Sequence, residues 1–261
     1  MALAKDGRTF SQPEIFATPS RLQEALPVFK RLAQLKIKTV VGGIAGLLDK
    51  NKTQLARGPH LKGWEGQPLK PELQKIFKAK IYLENDTALV GLGEARYGAG
   101  QDYRIVAYLT ISTGIGGVRI VDGKIDKNAL GFEPGHSLIL DCRDCKNFKD
   151  CQNFVELEDL ISGSAIENGY GQKPEEIKDK RFWNKIAKIL ALGVYNTILY
   201  WSPEAVILGG SMMKSIPLAQ VQLQLRQFNK ILPQLPTVKK AKLGDLGGLY
   251  GALAYLKTLS N

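Results

Sequence analysis

The sequence predicts an α/β fold with a partly parallel sheet, because segments of helical periodicity alternate with short apolar strands. The clearest helix covers residues 20–35, and residues 38–43 follow it as a buried strand that runs into a Gly-Gly turn. A second apolar strand, at residues 81–83, passes directly into a helix that begins near Asp86. The 261 residues suffice for one large α/β domain or two small lobes.

The two ends of the chain carry further signals of regular structure. Residues 1–4 and 9–15 have strand character and flank Asp6-Gly7, a pair typical of hairpin turns. The longest helix is predicted over residues 180–201, where apolar side chains recur on one face. A last helix is predicted over residues 246–258.

The composition and charge of the chain indicate which kinds of ligand or partner to expect. The net charge of +11 favours anionic ligands such as phosphates. The basic residues are scattered, and no segment resembles a basic DNA-binding helix, so we expect no specific nucleic-acid partner. The sequence shows neither a signal peptide nor an apolar run of the ~18 residues that a membrane span needs. We therefore expect a cytoplasmic protein without a membrane partner.

Asn85 and Asp86 stand where the strand at residues 81–83 ends and the next helix begins. Either residue fits as the N-cap of that helix. Asp86 therefore has two interpretations. It is a capping residue only, or it is a carboxylate at the carboxyl end of a buried strand, where open α/β sheets bind their ligands.

Two glycine-rich turns follow buried strands. The strand at residues 105–111 runs into Ser112-Thr113-Gly114-Ile115-Gly116-Gly117, and the strand at residues 205–208 runs into Gly209-Gly210. Such turns let the backbone approach a phosphate closely. A plain tight hairpin explains the first turn equally well, so the turns alone leave both interpretations open.

His136 and three cysteines supply donors that suit a metal ion. Cys142, Cys145 and Cys151 lie within ten positions of one another. A clustered, odd number of cysteines without a signal peptide favours metal binding over disulfides. Together with His136 they match the ligand number and types of a structural Cys₃His zinc site. Glu133 lies three residues before this histidine.

In their order along the chain, these motifs resemble the ROK family of bacterial sugar kinases and sugar-responsive repressors. The motifs that carry the resemblance are Glu84-Asn85-Asp86-x-Ala88, Thr110-x-Ser112-Thr113-Gly114-x-Gly116-Gly117, Glu133-x-Gly135-His136, the cysteine cluster, Ser162-Gly163-x-Ala165-Ile166 and Ile207-Leu208-Gly209-Gly210. The resemblance runs over nearly the whole chain.

The resemblance implies a two-lobed actin/hexokinase-like (ribonuclease H-like) α/β fold with mixed sheets flanked by helices. Residues 1–98 are then the N-terminal lobe, and residues 99–245 are the C-terminal lobe with a Cys-rich insertion at 136–151. Residues 246–261 are expected to form a closing helix that packs back on the N-terminal lobe.

The implied activity is an ATP-dependent transfer of the γ-phosphate to a hexose hydroxyl, as in a glucokinase or fructokinase, and Asp86 matches the general base. The matches to sugar-binding positions are Asn85, Glu133, His136 and Glu158. The matches to nucleotide-binding positions are Thr113, Gly114, Gly116, Gly117, Gly209 and Gly210. The implied cofactors are ATP, Mg²⁺ and a structural zinc ion held by His136, Cys142, Cys145 and Cys151. Sugar and ATP are the implied partners, and the resemblance is compatible with a homodimer.

The chain departs from the family pattern in two places. It has no Asp-x-Gly-Gly-Thr turn, which in the family follows the first strand and holds Mg²⁺ and the ATP phosphates. We therefore expect either a sequence that lacks this first strand or a catalytically impaired sugar-binding or regulatory member. The spacing Cys142-x₂-Cys145-x₅-Cys151 also differs from the family's, and Glu158 is aligned through the following Ser162-Gly163 instead.

Overall fold

The computed structural model describes residues 1–6, 9–140 and 154–259, and it confirms a mixed α/β fold whose sheets are flanked by helices. The helices are α1 (Leu22–Leu32), α2 (Leu69–Phe77), α3 (Asp86–Tyr97), α4 (Leu157–Ile161), α5 (Gly163–Tyr170), α6 (Lys180–Trp201), α7 (Leu218–Phe228) and α8 (Gly247–Thr258). The strands are β1 (Thr39–Ile44), β2 (Leu47–Leu48), β3 (Leu55–Arg57), β4 (Lys80–Asn85), β5 (Ile105–Ile111), β6 (Ile115–Val121), β7 (Lys124–Ile125), β8 (Leu138–Leu140), β9 (Phe154–Glu156), β10 (Ala205–Gly209) and β11 (Thr237–Lys240).

The largest sheet has five strands in the order β11-β10-β5-β6-β7. The first three strands run parallel, and β6 and β7 continue the sheet in antiparallel pairing. Helices α6 and α7 cover one face, and α3 and α8 cover the other, so β5 and β10 are almost entirely buried, as predicted. Asp122 and Gly123 join β6 to β7 with φ of 50° and 67°, the left-handed geometry of a two-residue hairpin.

Strands β1 and β4 form a separate parallel pair, in register from Thr39 opposite Lys80 to Ile44 opposite Asn85. The core beneath this pair comes from α1 and α2, which pack against Ile81 and Leu83. The prediction that residues 38–43 form a buried strand is wrong in its burial, since β1 is only half-buried. The reason is that, in the part of the chain that the structure describes, β4 is its only strand partner.

The expected strands at residues 1–4 and 9–15 do not form a regular ladder in their described portions. The two segments nevertheless lie side by side, because Ser11 N donates to Leu3 O at 2.8 Å and Glu14 N donates to Met1 O at 2.7 Å. The two acceptors, Met1 and Leu3, are two residues apart, whereas the two donors, Ser11 and Glu14, are three residues apart. This shift in register prevents the even alternation that a strand pair requires.

Helix α6, with 22 residues, is the longest helix and matches the predicted bounds. It packs one apolar face, which includes Ile186, Leu190 and Val194, against the five-stranded sheet. Within the described ranges, no helix is both long enough and apolar enough to cross a membrane.

Helices α3 and α8 approach each other more closely than side chains larger than glycine allow. A Cβ atom on Gly251 would lie 1.8 Å from the carbonyl oxygen of Leu89, and one on Gly93 would lie 2.5 Å from the carbonyl oxygen of Gly247. The fully buried Glu94 fixes the same junction, because its carboxylate accepts hydrogen bonds from three backbone N–H groups. The donors are Ala99 N at 2.8 Å, Lys242 N at 2.8 Å and Leu243 N at 2.7 Å. The position of α3 is therefore set by α8.

We expect Gly251→Ala to lower the free energy of unfolding by about 3 kcal/mol, since the added methyl group forces the two helices apart. Urea denaturation followed by circular dichroism measures this change. Gly169→Ala is the matched control, because a Cβ at that helical position meets nothing within 4 Å. The control should leave stability unchanged or raise it by up to ~1 kcal/mol. Equal stabilities of the two variants would contradict the close packing.

Candidate functional site

The candidate site begins where β4 passes into α3. Asn85 caps the helix, because its Oδ1 accepts a hydrogen bond from Ala88 N at 3.0 Å. The capping role is thus filled without Asp86, the first residue of α3. The Asp86 carboxylate accepts a hydrogen bond from Thr87 N at 2.7 Å. The structure therefore does not support the interpretation of Asp86 as a capping residue only, because Asn85 is the cap.

The Asp86 side chain is accessible to solvent, yet surrounding protein limits its hydration. This burial raises the pKa of the Asp86 carboxyl above its ordinary value of 3.8, although the hydrogen bond from Thr87 N opposes the effect. A carboxylate that is both reachable and partly desolvated is suited to accept a proton from a ligand.

Asn85 also bonds to the loop that follows β1. Its Nδ2 donates to the carbonyl oxygen of Gly46 at 3.1 Å, so the predicted sugar-binding amide already has protein partners on both polar atoms. Gly46 has φ of +115°, a conformation that favours glycine. The bond ties the loop after β1 to the end of β4.

Three other predicted site residues gather next to Asp86. Burial raises the pKa of Glu133, the nearby charges of Glu158 and Asp86 raise it further, and His136 opposes them. The pKa of His136 is raised chiefly by its bond to Glu156, with Nδ1 lying 2.6 Å from Oε2, and also by the charges of Glu158 and Glu133. These effects place Glu133 within electrostatic reach of Asp86, His136 and Glu158.

The first glycine-rich turn lies against this acidic group. A Cβ on Gly116 would meet Thr87 Oγ1 at 2.9 Å, and a Cβ on Gly114 would meet Glu158 Oε2 at 2.6 Å. Glu158 Oε2 also accepts a hydrogen bond from Ile115 N at 2.5 Å. The turn does join the antiparallel strands β5 and β6, as the hairpin interpretation requires. Its glycines are nevertheless needed, because a side chain at Gly114 or Gly116 would collide with Glu158 or Thr87.

Helix α5 holds the same turn from behind. Gly163 N donates to Ser112 O at 2.7 Å, and Ser164 N donates to Thr113 O at 3.1 Å. The first N–H groups of a helix have no partner within the helix, so these bonds satisfy two of them. The conformation of residues 112–114 is fixed by a helix end and does not depend on the turn alone.

The second glycine-rich turn meets the first at the edge of the sheet. Parallel pairing sets Gly209 of β10 opposite Thr110 of β5, so both strands end at the same edge. Gly210 has φ of +90°, and a Cβ there would lie 2.2 Å from the carbonyl oxygen of Ile111. The hydroxyls of Ser112 and Ser211 lie 3.1 Å apart and link the two turns. The predicted nucleotide-binding residues Thr113, Gly114, Gly116, Gly117, Gly209 and Gly210 are therefore neighbours.

A small cavity of about 70 Å³ opens between the loop that begins at Gly46 and the segment from Asn128 to Glu133. Asn85 and Glu84 line its base. Strands β2 and β3 hold the first loop, and Phe132 packs edge-on against Trp201 in the second segment. The cavity gives a ligand room beside the predicted sugar-binding residues.

Most of the predicted zinc site lies outside the residues that the structure describes. Cys142, Cys145 and Cys151 lie outside the described residues, so the structure places only His136 of the four donors. Its Nδ1 is bonded to Glu156, an arrangement that metal-binding histidines commonly use to orient the ring. Within the described ranges, no group of three or more His, Cys, Asp or Glu side chains could hold a metal ion.

Sequence reasoning missed four side chains that the structure brings to the site. They are Lys52, Ser112, Glu156 and Ser211. The two serines flank the glycine turns, so their position was a usable signal. Lys52 and Glu156 have no such signal in the sequence. Each bonds to a partner that lies 20 or more positions away in the chain.

Comparison with known proteins gives a family match over nearly the whole chain. The family model described as "ROK family" matches residues 5–258. An uncharacterized protein of Clostridium perfringens is 32% identical over 84% of this chain and 79% of its own length. A fructokinase of Lactococcus lactis subsp. cremoris is 29% identical over 92% of this chain and 87% of its own length.

A solved structure shows the same fold. The ROK family glucokinase of Streptomyces griseus, in complex with glucose and AMPPNP, superimposes with a TM-score of 0.77. The alignment covers 97% of this chain and 93% of that one at 21% identity. The hexokinase-like α/β fold predicted from the sequence, with mixed sheets flanked by helices, is thereby confirmed.

The raised pKa of Asp86 leads to a test by thermal unfolding. Because the fold disfavours the ionised carboxylate, we expect Asp86→Asn to raise Tm at pH 7. The gain should shrink as pH falls through the raised pKa and vanish below 3.8, where the carboxyl is protonated in both folded and unfolded chains. Asp49→Asn is the opposite control, since hydrogen bonds from the backbone N–H groups of Gln54 and Thr53 outweigh burial and lower the pKa of Asp49. That control should lower Tm at pH 7 or leave it unchanged, and a gain as large as that of Asp86→Asn would refute the assignment.

Proposed function

Because the chain belongs to the ROK family, we propose that it is an ATP-dependent sugar kinase that transfers the γ-phosphate of ATP to a hydroxyl of a hexose. One observation carries the proposal: Asp86 shares a site with Glu133, His136 and Glu158, beside the turn that contains Gly116. The relatives named above support this class of substrate, since one is a fructokinase and the solved glucokinase binds glucose and AMPPNP.

In the proposed reaction, Asp86 is the general base. The sugar hydroxyl oxygen forms a bond to the γ-phosphorus, the bond from that phosphorus to the bridging oxygen of ADP breaks, and the hydroxyl proton passes to Asp86. A carboxyl whose pKa is raised by burial is a stronger base than an exposed aspartate. Its place at the start of α3 fixes it relative to the phosphate turn, which contacts the adjoining Thr87.

Sugar hydroxyls are assigned to Glu133, which lines the small cavity, and to His136 and Glu158, whose charges act on Glu133. Glu133 and Glu158 offer carboxylate acceptors in fixed directions, which suits recognition of hydroxyl groups. The His136 imidazole, whose Nδ1 is bonded to Glu156, has Nε2 left for a sugar hydroxyl when it holds no metal ion. Glu158 Oε2 is bonded to Ile115 N, so we assign its Oε1 to the sugar. Asn85 completes the set and holds the loop at Gly46 with the same side chain.

ATP phosphates are assigned to the first glycine turn and the adenosine to the second. The residues in these roles are Thr113, Gly114, Gly116 and Gly117 for the phosphates and Gly209 and Gly210 for the adenosine. Mg²⁺ supplies charge neutralisation when it accompanies ATP. The described residues offer no cluster of three or more acidic or histidine ligands for it, so no protein-bound step is assigned to the ion.

We also propose the division into lobes that the sequence suggests. Residues 1–98 are the N-terminal lobe, residues 99–245 the C-terminal lobe, and residues 246–261 the closing segment. Supporting this, α8 packs against α3 and β1 of the first lobe. The hydrophobic cluster that contains Leu92 and Ala254 also includes Val106 of β5, so the same pair of helices adjoins the second lobe.

The decisive assay measures ATP consumption by the purified chain with Mg²⁺ across a panel of hexoses and amino-hexoses. We expect turnover with one sugar class, and we expect Asp86→Asn to reduce kcat by about 10²- to 10⁴-fold while sugar affinity changes little. The exposed Asp102→Asn serves as a charge-matched control and should keep full activity. Sugar-dependent thermal stabilisation without turnover would instead favour a sugar-binding member that lacks kinase activity.

A structural zinc ion on His136, Cys142, Cys145 and Cys151 is a separate part of the proposal. Its support is the donor chemistry and the carboxylate bond that orients His136. Elemental analysis should find about one zinc ion per chain. Cys145→Ser should lose the metal and lower Tm. A natively prepared wild-type protein that contains no zinc would rule the site out.

A further inference from the structure

A buried ion pair stands directly beside the proposed base. Glu84, at the carboxyl end of β4, is 7% exposed at its side chain, and its Oε2 is bonded to the ammonium group of Lys52. Lys52 lies on the loop that follows β2 and is itself 40% exposed. The other oxygen of Glu84 accepts a hydrogen bond from Asn85 N at 3.1 Å. The two residues that follow Glu84 in the chain are Asn85, which caps α3, and Asp86.

Burial makes Glu84 depend on this one cation. An ionised carboxylate loses favourable hydration when it is buried, and a partner of opposite charge must compensate for that loss. Among the salt bridges of the described residues, the one with Lys52 is the only one that involves Glu84. Tyr255 also lies close to Glu84. Burial raises the pKa of that phenol and the charge of Glu84 raises it further, so Tyr255 does not offset the charge of Glu84.

Lys52 occupies a backbone conformation that lysine rarely adopts. Its φ is +50°, in the left-handed region. The surrounding turn holds it there, because Asp49 Oδ1 accepts hydrogen bonds from Thr53 N at 2.5 Å and Gln54 N at 2.9 Å. Asparagine or glycine would fit this position with less strain.

The loop from Gly46 to Lys52 forms one wall of the small cavity, and the segment that contains Glu133 forms part of the other. Two side-chain contacts attach this loop to the end of β4. One is the bond from Asn85 Nδ2 to Gly46 O, and the other is the pair of Lys52 with Glu84. Both β4 residues immediately precede Asp86 in the chain. The sugar-side wall and the base are thus fastened to the same three-residue stretch.

We propose that Lys52 is a positioning residue that latches the loop of residues 46–52 to the strand end that carries Asp86, and that this latch sets the affinity for the sugar. The effect on affinity rests on the proposed kinase function. The latch itself rests only on the contacts above.

The first measurement is hydrogen–deuterium exchange of residues 46–57 in the full-length chain. Lys52→Met should speed exchange in this segment, because the cation that fastens the loop is gone. Lys52→Arg should retain slow exchange, since it keeps a cation at the same position. Lys62→Met is the matched control: Lys62 is an exposed lysine of the same region, and its substitution should leave exchange unchanged. Identical exchange in Lys52→Met and Lys62→Met would overturn the latch.

The second measurement is sugar KM and kcat in the assay defined above. Lys52→Met should raise KM for the sugar about tenfold with little change in kcat, because the loop contributes binding rather than chemistry. An unchanged KM in a variant whose loop exchange is fast would overturn the claim on affinity. If the wild type phosphorylates no sugar, the kinase proposal fails, and the exchange data still decide whether the latch exists.

A double variant separates the latch from the cost of an unpaired charge. Lys52→Met leaves Glu84 buried without a cation, so thermal stability should fall. Lys52→Met combined with Glu84→Gln removes that charge and should recover stability. The loop should nevertheless stay fast in exchange and KM should stay high, because no ion pair is re-formed. Recovery of both exchange and KM in the double variant would show that Lys52 acts through stability alone.

Discussion

The close contact between α3 and α8 is the constraint on which the rest of the structure depends. Glycine at residues 93 and 251 lets the two helix backbones meet, and the buried carboxylate of Glu94 binds three backbone N–H groups at the far end of α3. Helix α3 is held along its length, so its first turn has little freedom. That first turn carries Asp86, and Thr87 beside it meets the glycine turn at Gly116.

Around that fixed point, the site is assembled from chain segments that end at one place. Strand β4 supplies Asn85 and leads into Asp86, while the parallel strands β5 and β10 deliver two glycine turns to one edge of the larger sheet. The carboxylate of Glu158 bonds to the first of these turns through Ile115 N. This residue, a predicted sugar contact, therefore also supports the turn to which we assign the ATP phosphates.

Several polar side chains of the candidate site serve structure as well as the ligand contacts that we propose for them. Asn85 caps α3 and holds Gly46, and His136 is bonded to Glu156. Glu84 is paired with Lys52. Such shared use keeps side chains in fixed orientations before a ligand arrives, which reduces the conformational freedom that binding would otherwise remove. It also explains why several carboxylates gather in a small volume: each of Glu84, Glu156 and Glu158 has a donor of its own.

The sequence by itself determined the local structure and most of the site's membership. Apolar periodicity predicted α6, and buried runs predicted β5 and β10, because these patterns depend only on neighbouring residues. The order of the motifs identified Asp86 and the two glycine turns. Residues 1–4 and 9–15 have strand character yet form no regular ladder, since strand character alone does not supply a partner in register.

Only the tertiary structure decided how these parts meet. No local pattern shows that Asn85 takes the helix cap and leaves Asp86 available, or that Gly251 is needed because Leu89 lies against it. The pairing of Lys52 with Glu84 joins residues 32 positions apart, and that of His136 with Glu156 joins residues 20 apart. Contacts of this kind arise from packing between elements, and packing depends on the whole chain rather than on any window of it.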